Sequence, residues 1–357
     1  MSCLMIMAGG TGGHVFPALA VAERLAQQGV KIVWLGTEKG IESRVVPKAG
    51  YETHWISVQG LRGNGLQRWL FAPFTLLRAV FQSLAVIRQV KPDCVLGMGG
   101  FASGPGGVAA SLLGKPLIVH EQNAVVGLTN KWLAKFAKTV LTGFRGTKGL
   151  PESAVWVGNP VRAEITANVF SVTPSKSKRV LILGGSQGAN SLNTKLPKTL
   201  SNLSAKQGLE IWHQAGRLKS EAVDQLYSKI AGANLKVKVE EFIDDIATAY
   251  AWADIIICRS GAMTVTEIMA VGKPAVFIPY PYAAGDHQTL NAESMVNEGA
   301  AILVADDEIE NSPFKKELAN LLRDNDRLKK MGQSAKKLFR AKATEQTADI
   351  CMEWLDA

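Results

Sequence analysis

Short apolar runs alternate along the chain with longer stretches of helical period. Residues 3–7, 31–35, 94–96, 116–120 and 139–141 are mostly apolar runs of strand length, and residues 15–28 carry apolar side chains every three to four positions. The second half repeats the pattern, with strands expected at 180–183, 210–213, 236–239, 255–258 and 275–278 and helices at 190–203, 264–271 and 288–298. This alternation predicts two parallel sheets with crossover helices, each half a Rossmann-like α/β unit. Residues 163–178, after the turn Gly158-Asn159-Pro160, are polar, lack a period and contain Pro174, so they read as a linker. Three segments are expected: a domain over 1–162, a domain over 163–340, and a terminal helical stretch over 341–357 that could pack on either domain, including back on the first.

Composition narrows the class. A chain of 357 residues, 47% apolar and 20% charged, can bury a sizeable core in two domains. No apolar run approaches the roughly 18 residues of a spanning helix, and the apolar start at 4–8 has no basic leader, so a cytoplasmic protein is expected. Cys3, Cys94, Cys258 and Cys351 are too dispersed for a zinc or redox pair. The net charge of +9 suits an anionic partner. No basic and aromatic interleaving points to nucleic acid, which is not expected as a partner.

Glycine-rich segments carry the candidate chemistry. Gly9-Gly10-Thr11-Gly12-Gly13-His14 follows the first strand and opens a helix, as Gly184-Gly185-Ser186-Gln187-Gly188 does in the second half. Glycines let backbone approach a ligand, and free N–H groups at a helix start favour a phosphate. Neither loop is a dinucleotide fingerprint or a Walker loop. Residues 97–107 form another glycine loop after a strand, and His120-Glu121-Gln122-Asn123 end the next one, at the sheet edge where ligands of open α/β sheets collect. In the segment from Cys258 to Glu267 a Ser-Gly turn starts a helix whose amides suit a diphosphate, while Glu267 suits ribose hydroxyls. A solvated acidic residue in the first turns of a helix is the alternative for Glu267. Asp286-His287-Gln288 offers polar groups for a sugar, or a plain N-cap.

The motifs Gly-Gly-Thr-Gly-Gly-His, Gly-Met-Gly-Gly-Phe-Ala-Ser-Gly-Pro-Gly-Gly, His-Glu-Gln-Asn, Gly-Asn-Pro-Val-Arg, Gly-Gly-Ser-Gln-Gly-Ala, Phe-Ile-Asp-Asp and Arg-Ser-Gly-Ala-Met-Thr-Val-Thr-Glu occur in this order between Met5 and about Asn291. In them the chain closely resembles the MurG family of undecaprenyl-diphospho-muramoylpentapeptide N-acetylglucosaminyltransferases. The resemblance implies a GT-B type fold, two Rossmann-like domains facing across a cleft, and an inverting transfer of N-acetylglucosamine from UDP to the 4-hydroxyl of a lipid-linked muramoyl-pentapeptide. It implies no cofactor and no metal. Thr11, Gly12, Gly13 and Asn123 would meet the donor from the N-terminal side, and Arg162 and Ser186 would lie near its diphosphate. Ile243 would offer backbone groups to uracil. Ala262, Met263, Thr264, Val265, Thr266 and Glu267 would wrap phosphates and ribose, and Gln288 would reach the sugar. His14 is the expected general base and Glu121 the alternative. The lone Asp-x-Asp, Asp324-Asn325-Asp326, is expected at a helix boundary.

Residues 66–90 carry a stripe of apolar side chains wider than one buried face needs, with arginines at its margins. Arg68, Trp69, Leu70, Phe71, Phe74 and Arg78 are expected to dock on an anionic membrane surface, the cytoplasmic face of the inner membrane under the family resemblance, with other cell-wall synthesis proteins as further partners. A core helix is the competing expectation. Two rival functions stay open at this level: a UDP-sugar epimerase of similar fold, and a nucleotide-sensing membrane adaptor without turnover.

Overall fold

The computed structural model describes residues 1–58, 66–167, 175–204, 208–230, 232 and 234–356. The chain divides into two compact units, one formed by 1–162 with 340–357 and the other by 163–339.

The first unit runs β1 (Cys3–Ala8), α1 (Gly12–Ala26), β2 (Lys31–Gly36), α2 (Glu42–Lys48), β3 (Glu52–Trp55), α3 (Leu66–Val90), β4 (Cys94–Gly99), α4 (Ser103–Leu112), β5 (Leu117–Glu121), α5 (Leu128–Leu133), β6 (Thr139–Thr142) and β7 (Val155–Trp156). Among the described residues its strands form one parallel sheet in the order β3-β2-β1-β4-β5-β6-β7. Both faces of this sheet are covered, which explains why β1 is apolar at every position. Leu4, Ile6 and Ala8 pack with α1 on one side, and Met5 and Met7 pack with residues of α3 and α4 on the other.

The second unit runs α6 (Ala163–Thr166), β8 (Lys178–Leu183), α7 (Asn190–Ser204), β9 (Leu209–Gln214), α8 (Ser220–Ile230), β10 (Leu235–Glu240), α9 (Ile246–Trp252), β11 (Ile255–Cys258), α10 (Ala262–Val271), β12 (Ala275–Phe277), α11 (His287–Val296), β13 (Ala301–Leu303), α12 (Ser312–Arg323) and α13 (Asn325–Leu338). Its parallel sheet has the order β10-β9-β8-β11-β12-β13. Asp324 caps α13 by accepting from the Arg327 amide at 2.8 Å, so the Asp-x-Asp stands at a helix start. The last helix, α14 (Ala343–Leu355), packs on α1 through Ala348, Cys351 and Leu355, and Trp354 Nε1 donates to Thr139 Oγ1 at 3.1 Å.

Each unit buries one histidine completely. His213 sits between the Tyr227 hydroxyl and Asn193 Oδ1, both 3.1 Å away, and burial pushes its pKa down to about 3. His120 is pushed down to about 4 by burial, against a smaller upward pull from its bond to the Gly158 carbonyl. A histidine depressed in the folded state stays neutral there while the unfolded chain takes up a proton near pH 6.5. Its contribution is therefore complete above that pH and is lost as pH falls toward the native value. Each unit should lose about 1.4 kcal/mol of stability per pH unit between roughly 6 and 4.5. Urea midpoints that stay level across that range would show that these rings are not kept neutral by the fold.

Candidate functional site

In both sheets the strand order reverses beside the first strand of the unit, between β1 and β4 and between β8 and β11. A crevice opens at the carboxyl ends of strands at such a switch point. The glycine loops lie there.

In the first unit the loop after β1 and the loop after β4 touch backbone to backbone. Gly100 has φ +88°, and a Cβ on it would lie 2.1 Å from the Gly9 carbonyl oxygen, so no side chain fits. Gly99 has φ +100°, and a Cβ there would stand 2.9 Å from the His14 ring. The imidazole is thus wedged against glycine, two residues into α1, and its Nδ1 lies 2.8 Å from Gln122 Oε1. Thr11 is the exposed N-cap of that helix, with Gly12 and Gly13 forming its first turn. Ser103 buries its hydroxyl under the second loop, its one proton within reach of Met7 O and Gly99 O while its oxygen accepts from the Gly99 amide.

Of the expected glycine loop at 97–107, residues 97–99 still belong to β4 and only residues 100–102 turn. From Ser103 it is α4, in which Gly106 and Gly107 face Met7 and Leu133 at distances that leave no room for a methyl group. Those two glycines serve helix packing, whereas Gly99 and Gly100 shape the crevice.

Glu121 is placed differently from a general base. It is 1% exposed, and its carboxylate accepts from the Asn123 amide N–H and side chain through Oε1 and from Gly127 N and Asn130 Nδ2 through Oε2, all within 3.0 Å. Four donors occupy the lone pairs of this buried carboxylate. Its visible work is to hold the segment from Asn123 to Gly127. Asn123 is anchored by the same contact, and Arg162 lays its guanidinium 4.5 Å from the Phe16 ring centre.

Glu42 stands in no motif of the sequence. It is fully buried, and its carboxylate accepts from Thr37 N and Oγ1 and from Gly10 N at 2.9 Å, so it fixes the first glycine loop from 32 residues away. No local motif marks such a residue. Only its burial does.

In the second unit the loop after β8 is locked in the same manner. Gly188 and Gly216 have φ +72° and +90°, and a Cβ on either would collide with the backbone of the other's segment. Ser186 is exposed on this loop. Gly261 caps α10 in extended conformation, and Ala262, Met263 and Thr264 supply its first-turn amides. Val265 N donates back to Gly261 O at 2.9 Å, and Thr266 Oγ1 donates to Ala262 O. Glu267 is not on a solvated face. It is 8% exposed, with Oε2 accepting from the Tyr250 hydroxyl at 2.8 Å. Ile243 is buried, and its amide donates to Gln214 Oε1 at 3.3 Å, a long bond.

Gln288 accepts from Tyr280 N at 2.8 Å and lines a cavity of about 540 Å³ with Gly184, Gln187, Ser191, Arg259 and Tyr282. Arg259 organises this cavity. Its Nη1 donates to Ile278 O and Pro279 O and pairs with Asp306 Oδ1 at 2.6 Å, while Nη2 donates to Ser191 Oγ. The Ser191 and Arg259 hydrogen bonds hold the Asp306 carboxyl below its ordinary value, although burial opposes them. Among the described residues no group of three or more His, Cys, Asp or Glu side chains could hold a metal ion. No described helix is long and apolar enough to cross a membrane.

Residues 4–142 match the glycosyltransferase family 28 N-terminal domain and residues 179–347 match the family 28 C-terminal domain. A protein of Shewanella pealeana named UDP-N-acetylglucosamine–N-acetylmuramyl-(pentapeptide) pyrophosphoryl-undecaprenol N-acetylglucosamine transferase is 49% identical over 352 residues, 98% of this chain and 96% of its own length. The crystal structure of Acinetobacter baumannii MurG is similar at a TM-score of 0.82 and 41% identity, over 99% of this chain and 100% of that one. A putative UDP-N-acetylglucosamine 2-epimerase from Listeria monocytogenes reaches a TM-score of 0.70 at 14% identity, over 97% of this chain and 94% of that one, a likeness of fold alone. The chain has the two-domain GT-B fold and belongs to glycosyltransferase family 28, with the MurG-type N-acetylglucosamine transferases.

Proposed function

We propose that this chain transfers N-acetylglucosamine from UDP-N-acetylglucosamine to the 4-hydroxyl of a muramoyl-pentapeptide carried on undecaprenyl diphosphate, with the labour divided between its units. The observation that carries the division is that each switch point bears glycine loops, with an imidazole beside one set and a buried carboxylate beside the other. Unit two holds the donor. The first-turn amides of α10 face the diphosphate, Glu267 accepts from ribose hydroxyls, and Ile243 offers its backbone to uracil. Ser186 adds a donor to the phosphates, and Gln288 meets the sugar.

Unit one presents the acceptor. The 4-hydroxyl oxygen attacks the anomeric carbon as the bond from that carbon to the diphosphate oxygen breaks. Its proton passes to His14 Nε2, and UDP departs with the bonding electron pair. One displacement at the α-linked donor gives a β linkage. The developing charge on UDP is met by the first-turn amides of α10, preorganised donors of the kind that lower such barriers most.

The lipid acceptor calls for a membrane face, and α3 supplies part of one. Ala79, Ser83 and Ile87 are buried at helical spacing, while Phe74, Leu77 and Phe81 on another face are 72%, 55% and 62% exposed. The adjoining helices extend this surface with Leu112 on α4, Leu128 and Trp132 on α5, and Phe136 beyond it, all more than half exposed. Arg78, Lys131 and Lys135 stand among them, Lys135 Nζ 4.4 Å from the Trp132 ring centre. The side chains of Arg68, Trp69, Leu70 and Phe71 lie outside the described residues. Apolar area contributes about 25 cal/mol per Å² on insertion, and each basic side chain about 1 kcal/mol at an anionic surface.

The two terms together give peripheral attachment on the cytoplasmic face of the inner membrane, where other cell-wall synthesis proteins would be reached. Phe74→Glu with Phe81→Glu should abolish sedimentation with anionic vesicles and lower activity on the native lipid acceptor at least tenfold. Melting temperature and activity on a short-chain soluble acceptor should stay near wild type. Unchanged vesicle binding would place the membrane face elsewhere.

A further inference from the structure

His14 is joined to a chain of groups whose hydrogen-bonding directions are all determined, starting from the far end. The Gly158 carbonyl can only accept, so His120 Nε2, 2.9 Å away, carries a proton. His120 is fully buried, and burial pushes its pKa down to about 4, so the ring is neutral near pH 7 and its Nδ1 is bare. That bare nitrogen lies 3.2 Å from Gln122 Nε2, which also donates to the His120 carbonyl at 3.1 Å. The Gln122 amide can therefore take only one of its two orientations, because the flipped one would set its oxygen against a carbonyl and an unprotonated ring nitrogen. Gln122 is 1% exposed and its own carbonyl accepts from Asn159 Nδ2 at 3.0 Å, which holds the residue in place. With the amide so oriented, Oε1 faces His14 Nδ1 at 2.8 Å and requires a proton there.

We propose that Gln122 and His120 are positioning residues that fix His14 as the Nδ1–H tautomer, leaving the Nε2 lone pair to receive a proton from the acceptor hydroxyl. This deepens the assignment of His14 as general base and rests on it. The device substitutes a neutral amide and a second imidazole for the carboxylate that orients the base in hydrolytic triads, where the wrong tautomer lowers kcat on the order of ten-thousandfold. A neutral partner orients the ring without placing a negative charge beside an acceptor that already carries a diphosphate. The same chain ties His14 to the turn at Gly158, just ahead of Arg162. The loop bearing the base and the turn leading to the arginine are thereby held by one set of hydrogen bonds.

Long-range proton–nitrogen correlation spectra of the full chain, with nitrogen-15 in its histidines and recorded where the His14 ring is neutral, test this directly. The expected wild-type pattern is a protonated Nδ1 and an unprotonated Nε2. Gln122→Met keeps the volume but removes both halves of the amide, so His14 should become a mixture of tautomers. Its kcat should fall about tenfold or more, with KM for the donor within twofold. A wild-type ring protonated on Nε2, or a Met variant with the wild-type tautomer, overturns the proposal whether or not the variant turns over. Full turnover by His14→Ala would instead refute the base assignment, while leaving the spectrum of the wild-type ring as it was.

Discussion

His14→Ala is expected to lower kcat for transfer to the lipid acceptor by about 100- to 10,000-fold, the range over which a positioned general base contributes. The affinity for UDP should stay within about twofold, because the diphosphate and ribose contacts are assigned to the second unit. The imidazole is partly exposed and packs against Gly99, so its loss opens a small space without stranding a buried charge. The Gln122 oxygen loses its partner, a cost of about 1 kcal/mol that stability can absorb. Single-turnover rates at saturating donor and acceptor check the result. A variant that keeps full turnover would remove His14 from the mechanism. Glu121 would be a poor replacement, since four donors already hold its buried carboxylate.

Glu267→Ala is expected to raise the Kd of UDP about 10- to 100-fold, the loss of one or two hydrogen bonds to a charged acceptor. Glu267 is buried and takes a bond from the Tyr250 hydroxyl, so the alanine variant also leaves a buried phenol without that partner, at about 1–3 kcal/mol. Tyr250→Phe removes the same bond but keeps the carboxylate. It should lower stability modestly and leave UDP affinity nearly unchanged. Calorimetry on both variants separates the two roles, and equal UDP affinity in Glu267→Ala and wild type would reject the ribose assignment.

The sheets were legible because their central strands are buried on both faces and therefore read as unbroken apolar runs, as Cys3–Ala8 and Ile255–Cys258 do. The strands passed over were β3, β7 and β13, at sheet edges and four residues or shorter. Short edge strands need little apolar surface, and Glu52-Thr53-His54-Trp55 carries no pattern that marks it. Among site residues, glycine loops announce themselves because only glycine suits Gly99 and Gly100. The carboxylates do not, since Glu42, Glu121 and Glu267 look alike in sequence and differ only in what surrounds them. Glu42 braces a loop, Glu121 staples another, and Glu267 stands inward against a tyrosine. Arg259 was visible within its motif, but its grip on Asp306 and Ser191 joins residues 47 and 68 positions away. Such pairings depend on the finished fold.

The most direct measurement is product analysis after incubation with UDP-N-acetylglucosamine and a lipid-linked muramoyl-pentapeptide. UDP should be released only when the acceptor is present, the lipid should gain the mass of one N-acetylhexosamine, and the anomeric proton coupling of the new residue should report a β linkage to the 4-position. Conversion of the free UDP-sugar without acceptor, or a product that keeps the α configuration, would contradict the proposed transfer.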